Sequence, residues 1–178
     1  MIARPVVLLM VLTLTAACNP DQHVHSAAVN DETPDATTLS PQDRTFIEKA
    51  AQGNNAEVAD GGLVNGRSTN ASVIAFGRMM VADHGAANVH LAEIARKHRI
   101  ALPTSLGDHQ AGYDRLVDRK GVEFDEEFAR VMTEDHNMAR QLYQDELTSG
   151  TDPLLLQYAT SMLAKIEAHL AEARTLPQ

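Results

Sequence analysis

The chain has 178 residues, with 24 acidic and 15 basic side chains, 4% aromatic residues, no tryptophan and one cysteine. An acidic surface repels nucleic acid and anionic headgroups, scarce aromatics argue against a base- or sugar-stacking platform, and a lone cysteine excludes an intrachain disulfide framework. Ala, Leu, Glu, Arg and Met are abundant, which favours helix.

Residues 1–17 carry Arg4, an apolar run over 5–14 and the small residues Thr15, Ala16 and Ala17. This order of basic, apolar and small segments reads as a cleaved signal peptide, and the apolar run is too short for an ordinary membrane span. Leu14-Thr15-Ala16-Ala17-Cys18 resembles a bacterial lipobox. The resemblance implies an acylated Cys18 as the mature N-terminus. The alternative is a plain secretory peptide that leaves a free thiol, and an exposed thiol is reactive and seldom useful. Several acyl chains together anchor stably. An Asp after the cysteine would resemble an inner-membrane retention signal; Asn19 stands there instead, which favours the outer membrane, facing the periplasm. Loss of Arg4 with the signal leaves 14 basic against 24 acidic side chains, a net charge of −10.

Residues 18–39 then form the acylated cysteine and a tether: residues 19–39 hold four acidic residues, two prolines, no basic residue and no apolar periodicity, so they are expected to be disordered. His23 and His25 lie in this stretch as polar filler. Residues 40–178 have the length of one domain and can bury a core without staples.

Ser40-Pro41-Gln42-Asp43 is a helix start, with a capping hydroxyl, a proline suited to the first turn and an acid near the positive helix end. The first long helix is expected over 41–66, with Phe46, Ala50, Glu57, Gly61 and Val64 on one face. Gly61-Gly62 suggests close helix packing. The second is expected over 71–98, with the stripe Val73, Gly77, Met80, His84, Ala87, Leu91 and Ile94 at spacings of three and four. Leu102-Pro103 breaks the chain, and residues 105–119 read as a short connecting helix. The third long helix is expected over 122–148, with Phe124, Phe128, Met132, Asp135 or His136, Ala139 and Tyr143 on its face. Asp152-Pro153 starts the fourth, with Leu156, Ala159, Leu163, Ile166, His169 or Leu170, and Ala173 facing inward. The sum is an all-α fold: an up-down four-helix bundle, ferritin-like, with a short extra helix in the connection between the second and third long helices.

Two segments nearly repeat. Phe76, Arg78, Met80, Asp83 and His84 recur as Phe128, Arg130, Met132, Asp135 and His136, 52 residues on. If the directions alternate strictly, His84 and His136 each lie about 22 Å from the same end of the bundle. Glu57 and His169 fall within about 6 Å of that height. Glu57, Asp83, His84, Asp135, His136 and His169 thus form a belt at mid-bundle, the way metal sites are built in such folds.

At these residues the chain resembles a bacterial domain-of-unknown-function family of ferritin-like envelope proteins, often described as outer membrane proteins. The resemblance covers about residues 41–175. It rests on Phe46-Ile-Glu-Lys-Ala-Ala51, Ala56-Glu57-Val58, Met80-Val-Ala-Asp83-His84, Gly121-Val-Glu-Phe124-Asp125, Glu134-Asp135-His136 and His169-Leu170. It implies a ferritin-like bundle and no established activity. Di-iron members of that fold place Glu-x-x-His on two helices. That motif is absent here, and His169-x-x-Glu172 is its nearest, reversed relative.

Two functions remain open. One is a non-catalytic, lipid-anchored envelope protein that binds a protein partner or supports stress tolerance, its belt histidines satisfied in the core by neighbouring carboxylates. The other is a bundle that binds Zn, Fe, Cu or Mn through the belt, for metal buffering or protection from oxidative stress. The methionines, including Met79, Met80, Met132, Met138 and Met162, read as core filling. Arg78 and Arg130 can each neutralise an acid one turn away. No Ser-His-Asp order, nucleotide fingerprint or basic patch stands out.

Overall fold

The structure, a computed structural model, describes residues 39–177. The signal segment, Cys18, His23, His25 and nearly all of the tether lie outside the described residues. Four long helices run over Pro41–Arg67 (α1), Ala71–Lys97 (α2), Val122–Ser149 (α4) and Pro153–Ala173 (α5). A 3-10 turn, Gly107–His109, leads into the short α3, Gln110–Leu116, inside the α2–α4 connection.

Each start has a local cause. Ser40 and Asp43 form a reciprocal capping box ahead of Pro41. Asn70 accepts from the Ser72 and Val73 amides, and Asp152 from those of Leu154 and Leu155. α4 has no side-chain cap; Gly121 enters it at φ 61°, a backbone that favours glycine.

The helix directions depart from strict alternation. Gly121, at the start of α4, donates to the Arg67 carbonyl at the end of α1. Asp43, at the start of α1, accepts from the Thr151 and Asp152 amides at the α4–α5 turn. α4 therefore runs antiparallel to α1 and parallel to α2. The 98–121 segment crosses the length of the bundle, packing its 3-10 turn and α3 against α1 and α4. One long crossover of this kind is a ferritin-like connection.

The expected apolar stripes of α1, α2 and α4 are buried, apart from the half-buried Ala139. On α5, Ala159, Ile166, His169, Leu170 and Ala173 are buried as expected, but Leu156 and Leu163 are only half-buried and their neighbours Leu155 and Met162 are buried instead, together with Tyr158. Two apolar clusters result. One gathers Phe46, Leu91, Tyr143, Leu155, Tyr158 and Ile166 toward the start of α1. The other gathers Val64, Phe76, Met80, Phe124, Phe128 and Met132 toward its end. The polar belt lies between them.

Of the adjacent glycines Gly61 and Gly62 in α1, only Gly61 is at a close approach. A Cβ there would stand 2.4 Å from the Gly77 carbonyl oxygen on α2, whereas one at Gly62 would meet nothing within 4 Å. Gly61→Ala should therefore destabilise the bundle by about 1–3 kcal/mol through overpacking. Gly62→Ala should be neutral or stabilise by up to about 1 kcal/mol through helix propensity. Parallel thermal or denaturant unfolding of the two variants checks the contrast.

Candidate metal centre

The belt assembles because of the crossover. His84 and His136 each lie 13 residues before the ends of their helices, Lys97 and Ser149. Glu57 and His169 each lie 16 residues after the starts of theirs, Pro41 and Pro153. All four ends are at the same end of the bundle, so at about 1.5 Å per residue the four side chains share a level 20–24 Å from it. Equal height also explains why the near repeat pairs in space. Phe76 meets Phe128 edge-on at 6.2 Å, and the His84 and His136 rings are centred 5.7 Å apart.

His84, His136 and His169 form the centre. Their rings lie 5.4–5.7 Å from one another, all three residues are buried, and one potential ligand atom from each falls within 4.8 Å of the other two. Each ring has one nitrogen held from outside. His84 Nδ1 is 2.9 Å from the Asn54 carboxamide oxygen. His136 Nδ1 is 2.8 Å from the Met132 carbonyl, and His169 Nε2 is 3.0 Å from an Asp83 oxygen. All three contacts are to acceptors, so each places the proton on the outer nitrogen. The other nitrogens, His84 Nε2, His136 Nε2 and His169 Nδ1, are buried without a partner. Three lone pairs thus remain buried and unshared.

Burial keeps these rings neutral. It lowers His84 to about 3, helped by the neighbouring His136 and His169, and His136 to about 4 against the pull of the Met132 carbonyl. His169 is also lowered by burial, with Asp83 opposing. Neutral imidazole is the ligand form for transition metals. An acceptor on the outer nitrogen is the usual means of fixing a ligand's tautomer and orientation. Metal–nitrogen bonds of about 2.0–2.1 Å in a tetrahedral site put the nitrogens about 3.3 Å apart, against ligand atoms that lie within 4.8 Å of one another here.

The predicted carboxylates divide among other duties. Glu57 Oε1 lies 3.2 Å from His136 Nδ1, on the outside of that ring, and its Oε2 has no partner. Asp83 is partly exposed and holds His169 while pairing with Lys165 at 2.9 Å. Asp135 faces His109 of the 3-10 turn at 3.0 Å. Glu172 is exposed, so the reversed motif does not enter the centre. Arg130 pairs with Glu127 one turn away, but Arg78 binds the Asn65 carboxamide instead. Met80 and Met132 fill the core, whereas Met138 is 46% exposed.

Asn54, Asp60, His109 and Tyr158 were missed from sequence. Asn54 donates to the Tyr158 hydroxyl while its oxygen faces His84. Asp60 is fully buried with neither oxygen partnered. Burial, then Asp135, raise its carboxyl to about 8 against the opposing Arg115; burial, Asp135 and Asp60 likewise raise Glu57 well above the usual range. Asn54, Glu57 and Asp60 recur every three residues on one buried face, and that spacing was the available signal. His109 carried none, because its position depends on the crossover.

The protein is thus an all-helical bundle with a buried histidine triad. The chain belongs to the family described as Domain of unknown function (DUF4142), whose model matches residues 28–176. No curated protein matches it. Among solved structures it is similar to "CopM in the Cu(II)-bound form", at 18% identity and a TM-score of 0.62, over 75% of this chain and 92% of that one. At that identity the likeness concerns the fold.

The buried acids and histidines give the metal-free protein a defined pH response. Asp60 has a folded pKa of about 8 against an ordinary value of 3.8, so its stabilising contribution is complete below about 4 and lost as pH rises to about 8. His84 and His136 have folded values of about 3 and 4 against 6.5, so their contribution is complete above 6.5 and lost as pH falls. The melting temperature of metal-free protein should be highest between about pH 4.5 and 6.5 and should fall from there to pH 8. A melting temperature that rises over that upper interval contradicts the assignment.

Proposed function

We propose that the chain is a lipid-anchored envelope protein that holds one transition-metal ion on His84 Nε2, His136 Nε2 and His169 Nδ1. The observation that carries this reading is the set of three buried imidazole nitrogens left without a hydrogen-bond partner around one volume. A purely structural histidine network would use these nitrogens, because buried polar atoms are as a rule satisfied. The same fold in a protein whose solved form is described as Cu(II)-bound supports it further. Three imidazoles with no carboxylate among the inward donors suit Cu or Zn better than Mn. With no pair of bridging carboxylates, the reading is metal buffering or protection from oxidative stress rather than di-iron oxidation. The anchor rests on the lipobox at Cys18 and the acidic, proline-containing tether.

Purified without an affinity tag, the protein should bind one equivalent of Cu or Zn. An ion at a hundredfold excess over its Kd adds about 2.7 kcal/mol to the folded state, which raises the melting temperature of a domain this size by roughly 8 °C. A chelator should reverse that rise. The double variant His84→Gln/His136→Gln should show neither effect. A wild-type melting temperature indifferent to chelator and to added Zn, Fe, Cu and Mn removes the metal reading.

Replacement of Cys18 by Ser should move the protein from the membrane to the soluble fraction of the envelope. If the variant stays with the membrane and the wild type carries no lipid, the anchor is elsewhere.

A further inference from the structure

A cleft of about 410 Å³ runs in beside α1 and α4 under the 3-10 turn. Its outer wall includes Lys49 and Asp108, with side chains 40% and 73% exposed and paired at 2.6 Å. Its lining continues to Asn54, Glu57, His84 and Asp135, none more than 4% exposed. His136 and His169 do not line it; the Phe76 ring lies 6.3 Å from each of them. The cleft therefore reaches the triad at one of its three members, and with a water occupying about 30 Å³ it has room for roughly a dozen.

We propose that an ion on the triad keeps one coordination position open toward this cleft, and that the position takes a small monoanion. The inference rests on the metal reading above and deepens it. Three protein ligands with a fourth position left to solvent distinguish reactive metal sites from closed structural ones. Three neutral imidazoles leave a divalent ion its full charge, which favours an anionic fourth ligand. Glu57 stands where the cleft meets the triad. One of its oxygens touches the His136 ring at its outer nitrogen and the other is unpartnered, which leaves a buried polar atom in the cleft wall. A large, mainly apolar cleft also admits a solute bigger than water, which a sealed buffering site has no use for.

The test is an azide titration of the Co(II)-loaded full-length protein, followed by the visible absorption of the ion. A saturable spectral change is expected. Ala139→Phe places a ring in the cleft one turn beyond His136, and Gly53→Leu fills it from α1; a Cβ at Gly53 would meet only the His109 ring, at 3.5 Å. Each variant should hold one Co(II) and bind azide at least about tenfold more weakly, and the second serves if the first does not fold. Wild type that binds Co(II) but ignores azide overturns the open position alone. Wild type that binds no metal overturns the metal reading itself. Azide affinity unchanged in both variants shows that the ligand does not arrive by this cleft and overturns the proposal.

Discussion

Three buried, unshared imidazole lone pairs set the terms for the rest of this molecule. Each is a buried acceptor without a donor, and such an atom typically costs about 1–3 kcal/mol. The fold carries all three within a few ångströms of one another. It also spends a separate acceptor on the far side of every ring: an amide, a backbone carbonyl and a carboxylate. Outer acceptors of this kind hold the protons away from the centre, so the cost is built in rather than incidental. A cation relieves it directly.

The second requirement is equal height. A strict up-and-down chain would bring Asp-His pairs from antiparallel helices to one level only by coincidence of length. The crossover makes α2 and α4 parallel, so residues at matching offsets from the helix starts fall side by side. Phe76 with Phe128 and His84 with His136 are the visible result. The near repeat therefore has a geometric use: it supplies two of the three ligands and the aromatic layer beside them from one pattern. The acids of the repeat turn away from the triad because adjacent positions diverge by about 100° on a helix. From there Asp83 orients His169, and Asp135 meets the crossover through His109.

Periodicity made most of the fold legible. The spacing of three and four on α1, α2 and α4, the Ser40 and Asp152 caps and the breaks at Pro103 and Gly150 placed the four long helices within a residue or two, whereas the connecting helix expected over 105–119 is α-helical only over Gln110–Leu116. Helix direction was not legible, since a 24-residue connection can either turn back or cross over. The belt height came out correctly from the wrong topology, because His136 is nearly equidistant from both ends of α4. On α5, adjacent apolar residues at 154–156 left the phase ambiguous by one position, and Tyr158 was lost with it. In the centre, the histidines were legible from their place on apolar stripes. The division between ligands and orienting groups was not, since it depends on which ring nitrogen faces inward.

X-ray absorption at the metal edge reads most directly which atoms surround the ion. Protein loaded with one equivalent of Cu or Zn and freed of loose metal should show three imidazole scatterers at about 2.0–2.1 Å, with one further oxygen or nitrogen ligand completing the shell. A shell of oxygens alone, or no ion retained after the wash, would contradict the histidine triad as a metal centre.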